Sequence, residues 1–191
     1  MELDEQKLIE TARPHFASAR AGDWEHALRV VRWVKELGRG RSDLPLLVTA
    51  AYIHDIGWSG VAPKGKLDFD KMLELESKAN ENTAELIARV LNELRFTESE
   101  IRAVTRLVAA ADQHRSESAD EAVIVDADNL SKLCLEHIEE KYRPESFPKI
   151  MKLWETELPS RIKTEKGKVL LQTLLPKLLT VLKQKVARLP E

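Results

Sequence analysis

The chain has 191 residues, 43% of them apolar and 32% charged, with 30 Lys and Arg against 32 Asp and Glu. That length is enough for one domain with a sizeable core, and the balance excludes a disordered chain. A net charge of -2 points to no nucleic-acid polymer as partner, and a single cysteine, Cys134, excludes an internal disulfide or a thiolate-rich zinc site.

The opening MELDEQKLIE is charged where a signal peptide needs an apolar run. No apolar stretch approaches the roughly 20 residues needed to cross a bilayer, so a cytoplasmic protein with no membrane partner is expected. Only 7 glycines and 8 prolines stand among abundant Leu, Ala, Glu and Lys, which favours helices throughout. A first helix is expected over about 4–20, kinked at Pro14. The second starts behind Asp23 as N-cap, carries Ala27, Val30, Val31, Val34 and Leu37 on one stripe, and stops at Gly38 and Gly40. A third begins near Asp43 with Pro45 in its first turn and runs through LLVTAAYIHDIG to Gly57; it is the most apolar of the front half and belongs in the core.

Residues 58–67, with Gly60, Pro63 and Gly65, read as a loop before helical pattern resumes over about 70–94. Thr97 and Glu100 form a capping box in front of Ile101, Val104, Leu107 and Val108. After the loop DQHRSESAD, one helix is expected over about 121–141, with Cys134 on its apolar face as a buried, inert thiol. Pro144 and Pro148 mark a boundary. Beyond it lie a helix around 150–157 and, past Pro159, a long apolar helix to about 188, bent at Pro176.

Three segments place ionisable groups inside apolar helical sequence: WEHALRVV with His26, AAYIHDIGW with His54 and Asp55, and VIVDADNL with Asp126 and Asp128. Buried charge is costly unless it is paired or binds a metal. Singly, each has a plain reading. His26 is then a surface or hydrogen-bonded core histidine, His54 and Asp55 a surface ion pair, and DAD an N-cap. Jointly, two imidazoles and two carboxylates suit a divalent transition metal with positions left for water and a substrate oxygen.

The order His, His-Asp, Asp on successive helices resembles the HD superfamily of metal-dependent phosphohydrolases. HALRV at 26–30 is similar to that family's H-x-x-R-V helix, AAYIHDIG at 50–57 to its A-x-x-x-HD-I-G segment, and DADNL at 126–130 to the DAD-x-L element of its small hydrolases. The resemblance covers about 23–135. It implies an all-α, compact HD-domain-like helical bundle of about seven to nine helices with a C-terminal helical extension. The hydrolase core would span 1–143, and the helices of 144–191 would pack on the same core.

By that resemblance His26, His54, Asp55 and Asp128 hold one divalent ion (Mn, Fe, Co, Ni, Zn or Mg), with Asp128 rather than Asp126 as the last ligand. Asp55 doubles as the catalytic group that orients or deprotonates water. The implied substrate is a small phosphorylated metabolite, foremost a nucleotide, cut at a phosphoester or phosphoanhydride bond. Arg29, His114, Trp58 and Lys66 are the expected substrate contacts, with Lys64 and Arg115 in bordering loops. Trp24 and Trp58 either stack on a base and close the pocket or simply pack.

Trp58 also marks departures from the pattern. The cyclic-dinucleotide branch carries lysine after HDIG, and some nucleotidases carry glutamate at the position of Trp58. Residues 56–113 contain no histidine, leaving His114 alone between the HD pair and the last aspartate, which favours a single ion. The rival reading is a non-catalytic HD module that binds a nucleotide or protein partner and keeps a structural metal. The Leu- and Val-rich tail also permits a homodimer.

Overall fold

A computed structural model describes residues 3–63, 65, 66 and 68–188. Among them run α1 (Glu5–Phe16), α2 (Asp23–Leu37), α3 (Leu44–Ile53), α4 (Phe69–Glu93), α5 (Glu98–Asp112), α6 (Ala119–Ser131), α7 (Leu135–Lys141), α8 (Phe147–Arg161) and α9 (Glu165–Val186). Short 3-10 turns lie at Ile56–Trp58 and Pro144–Ser146, and no strand occurs among the described residues, so the fold is all-α. None of the described helices is long and apolar enough to cross a membrane.

The apolar stripes pack as one large cluster from α1 to α6, with Leu8, Val30, Ile53, Ile87, Val108 and Ile124 all buried. A second cluster joins the end of α6 to α7, α8 and α9 through Leu130, Ile138, Ile150, Leu158 and Leu182. Trp33 and Leu37 of α2 pack against both, so the tail is continuous with the front half.

Several helix ends differ from the expected ones, and most of the differences serve the site. The first helix stops at Phe16 rather than near 20, with Pro14 inside its last turn. The chain then turns so that the Ser18 carbonyl accepts from the Gly60 N–H at 2.8 Å. Asp23 does not cap α2. Gly22 takes the cap position at φ 76, a left-handed conformation open to glycine. The Asp23 carboxylate is turned inward, where it accepts from the Arg20 backbone N–H at 2.9 Å and from its guanidinium. The third helix ends at Ile53, ahead of Gly57, because the following turn must pass under α4. A Cβ on Gly57 would lie 2.3 Å from the Ala79 carbonyl oxygen, so only glycine fits.

The segment expected as one helix over 121–141 is broken between Ser131 and Leu135, with Cys134 half-buried at the N-cap of α7 instead of on a helix face. The break redirects α7 so that His137 and Lys141 face the same cavity as Asp128. The capping box forms as expected, with Thr97 Oγ1 accepting from the Glu100 N–H and the Glu100 carboxylate from the Thr97 N–H at 2.8 Å.

The two aspartates of DAD do different work. Asp126 accepts from the backbone N–H of Lys163 at 2.8 Å, from that of Thr164 at 2.7 Å and from Thr164 Oγ1 at 2.6 Å, fastening the start of α9 to α6. Gly167 is needed beneath it, since a Cβ there would stand 2.5 Å from Asp126 Oδ2. Hydrogen bonds to a charged acceptor contribute about 1.5–3 kcal/mol each, and they are not additive. Asp126→Ala should therefore lower the unfolding free energy by about 2–4 kcal/mol in a urea titration. Bound metal per folded chain should stay unchanged.

Candidate metal centre

Four side chains converge from three places. His26 comes from the first turn of α2, His54 and Asp55 from the end of α3, and Asp128 from the last turn of α6, all of them buried. His26 Nε2 lies 3.1 Å from Asp128 Oδ1, and His54 Nε2 lies 3.8 Å from the same oxygen. One donor atom from each of His26, His54 and Asp128 falls within 4.8 Å of the others. Asp55 Oδ2 stands beside them, 3.5 Å from His54 Nε2 and 3.8 Å from His26 Nε2.

The hydrogen bonds assign the tautomers. His54 Nδ1–H donates to the Ala51 carbonyl at 3.0 Å, so its Nε2 carries a bare lone pair; that atom is enclosed and has no hydrogen-bond partner. Ser131 Oγ donates to the Asp128 carbonyl at 2.7 Å and therefore accepts from His26 Nδ1–H at 3.0 Å. The Nε2 lone pair of His26 thus also faces a carboxylate. Two lone pairs directed at carboxylate oxygens in a buried space repel one another unless a cation stands between them. A proton does not serve, because burial foremost, and then Lys141, holds the His26 pKa well below its ordinary value. The donor set fits a divalent ion. Burial alone would raise the Asp128 carboxyl, but Lys132 above all keeps it well below the usual carboxylate range.

Asp55 sits in a closed ring of buried charges. Its Oδ1 pairs with Arg20 at 2.7 Å and its Oδ2 with Lys141 at 3.2 Å, while Asp23 pairs with Arg20 at 3.1 Å and Lys141 at 2.5 Å. Burial would raise the Asp55 carboxyl, yet Arg20 and Lys141 outweigh it and hold Asp55 ionised. Trp58 belongs to this arrangement. It is buried, and the Arg20 guanidinium lies 3.9 Å from its ring centroid, a cation–π contact that fixes the arginine against Asp55.

His114 also reaches the site. Its backbone is left-handed at φ 51, its Nδ1 lies 3.7 Å from Asp128 Oδ2, and burial, then Lys132, pushes its pKa down to about 3. Together with Met72, Glu76 and Asn80 of α4, these groups line a cavity of about 90 Å³.

Two expected substrate contacts lie away from this cavity. Arg29 does not face this cavity. It pairs with Glu140 of α7 at 2.8 Å and lines a separate cavity with Arg32, Trp33 and Cys134. Three residues along a helix is a 60° offset, and with His26 turned inward that offset carries Arg29 toward α7. Lys66 is exposed and does not line the cavity, and Lys64 lies outside the described residues. Arg115 is exposed and paired with Glu117. Trp24 stacks on Tyr52 with ring centroids 6.0 Å apart and lines a neighbouring cavity of about 550 Å³. Among the described residues Arg20 alone lines both that cavity and the metal-ligand one.

Six residues of the site were not anticipated from sequence: Arg20, Asp23, Lys132, Lys141, His137 and Asp112. Lys132 had a legible signal, since it lies one helical turn after Asp128. The His137 ring packs 4.7 Å from His26, and its Nδ1 is buried without a partner. Burial, then the charges of Asp55 and Asp128, pushes the Asp112 pKa up to about 8, leaving that carboxyl protonated at neutral pH.

A buried centre of two imidazoles and flanking carboxylates in an all-α fold is a possible metal site. Compared with known families, the chain matches the HD domain over residues 23–141, well over half its length, and it belongs to that family. No curated protein and no solved structure matches it. HD domains are generally metal-dependent phosphohydrolases, and His26, His54 and Asp128 form a possible metal site here.

Proposed function

We propose that the protein is a divalent-metal-dependent phosphohydrolase acting on a small phosphorylated metabolite, foremost a nucleotide. The observation that carries this reading is the pair of bare Nε2 lone pairs directed at Asp128 and Asp55 in the buried wall of the cavity, one of them without any partner. His26, His54 and Asp128 would hold one ion, with Asp55 Oδ2 as fourth ligand. A divalent ion there lowers the pKa of water toward neutrality and polarises a phosphoryl oxygen.

The chain's own groups supply the rest. Arg20 and Lys141 fix the Asp55 carboxylate in the ionised form, so it accepts a hydrogen bond from the attacking water and orients it. Ser131 and the Ala51 carbonyl lock the two imidazole rings. His114, neutral at the rim, is placed to hydrogen-bond substrate, and Trp58 acts through Arg20 as a wall.

Release of phosphate from a panel of nucleoside mono-, di- and triphosphates, with manganese, cobalt or magnesium, tests the reading. Turnover that stops on chelation and returns with added metal is expected. A metal-loaded protein that releases nothing from the panel would instead favour a binding module with a structural ion.

A further inference from the structure

Resting on the phosphohydrolase reading, we infer that the site takes the terminal phosphate of a monoester and rejects a phosphodiester, with Lys132 as the phosphate anchor. Volume is the first reason. A cleft that encloses a drug-sized ligand measures roughly 300–1,000 Å³. This cavity measures about 90 Å³, room for an ion and a phosphoryl group but not for a nucleoside. A phosphoryl group seated there has its non-bridging oxygens enclosed and one substituent directed out of the mouth. A diester carries a second substituent, for which the inner wall of His26, His54, Asp55 and His137, all buried, leaves no space.

Charge is the second reason. Among the described residues three lysine or arginine side chains line the cavity, and two of them, Arg20 and Lys141, are already committed to both Asp23 and Asp55. Lys132 has only Asp128 Oδ2, at 2.6 Å, the oxygen turned away from His26. Its side chain is 17% exposed against 5% for Lys141, and it shares Asp128 Oδ2 with the more exposed His114, whose Nδ1 lies 3.7 Å from that oxygen. Once a divalent ion shares Asp128, the Lys132 ammonium has charge to spare for a second anion, and a dianionic phosphate uses it better than a monoanionic diester.

The reaction is then a simple hydrolysis. The water oxygen bonds to phosphorus, and the phosphorus–oxygen ester bond breaks with its electron pair on the leaving oxygen. One water proton passes through the site to that oxygen, giving an alcohol and hydrogen phosphate.

Calorimetric titration of the manganese-loaded protein with inorganic phosphate and with dimethyl phosphate reads this without turnover. Phosphate should bind at least about tenfold more tightly than dimethyl phosphate. Lys132→Ala should weaken phosphate binding by about tenfold or more with manganese content unchanged, and Lys132→Arg should restore most of it. Equal binding of the two anions, no phosphate binding at all, or loss of manganese in Lys132→Ala with phosphate affinity per loaded chain unchanged would each overturn the inference. Discrimination between the anions without turnover of any monoester would overturn the hydrolase reading while leaving the selectivity of the cavity in place.

Discussion

Replacing Asp128 by asparagine should abolish metal binding and bring phosphate release down to the level of the metal-free protein. Asparagine keeps the volume and the α6 backbone, so the Ser131 Oγ bond to the residue 128 carbonyl survives and the helices remain. What is lost is the carboxylate whose Oδ1 lies nearest His26 Nε2, at 3.1 Å, and within 3.8 Å of His54 Nε2. Metal catalysis of this kind supplies several kcal/mol of transition-state stabilisation, so the fall should be about a thousandfold or more. Asp126→Asn is the paired control. It weakens the anchor of α9 but leaves the metal ligands in place. Full metal content in Asp128→Asn, measured by elemental analysis, would remove Asp128 from the ligand set.

The second large effect is on stability. Asp23→Ala should cost about 3–5 kcal/mol in urea unfolding at neutral pH, the usual range for removing one partner of a buried ion pair. Arg20 and Lys141 are 10% and 5% exposed, and both lean on Asp23 as well as on Asp55. Without Asp23, two buried cations share one carboxylate. Against a total stability of about 5–15 kcal/mol for an ordinary domain, that loss is a large fraction. Pairing Asp23→Ala with Lys141→Met should recover part of it, because the uncompensated charge goes too. Arg89→Ala, which breaks an exposed pair with Glu85, should change little by comparison. An Asp23→Ala protein as stable as its parent would mean that the ring of charges contributes nothing.

The sequence shows the helices and the ligand set better than it shows what surrounds them. Periodicity places the stripes of α2 and α5, and Thr97 with Glu100 marks a helix start, because these are local effects of spacing and capping. The DAD segment is readable for the same reason: Asp128 lies well inside a helix, where an N-cap role has no place. Arg29 shows where local reasoning stops. Helical spacing puts it near the face of His26, but only the packing of α7 decides that Glu140 takes it.

The surrounding ring is not legible because its members are far apart in sequence and ordinary in type. Asp23 reads as a helix cap, and it becomes a buried counter-ion only because Gly22 takes the left-handed cap position and the chain folds Arg20 back onto it. Lys141 looks like a surface lysine in EEK until the break after Ser131 turns α7 toward Asp55. His137 is carried in by the same break. A disrupted helix in a polar stretch is hard to foresee when each half keeps helical character.

The most direct measurement is the metal stoichiometry of the wild-type protein beside that of His54→Ala, by equilibrium dialysis against manganese with elemental analysis. His54 offers the buried Nε2 that has no other partner, so its removal separates metal binding from the hydrogen-bond network around it. About one ion per wild-type chain and almost none in a folded His54→Ala is the expected result. No ion in the wild-type protein, or an undiminished ion in His54→Ala, would contradict a metal centre built on His26, His54 and Asp128.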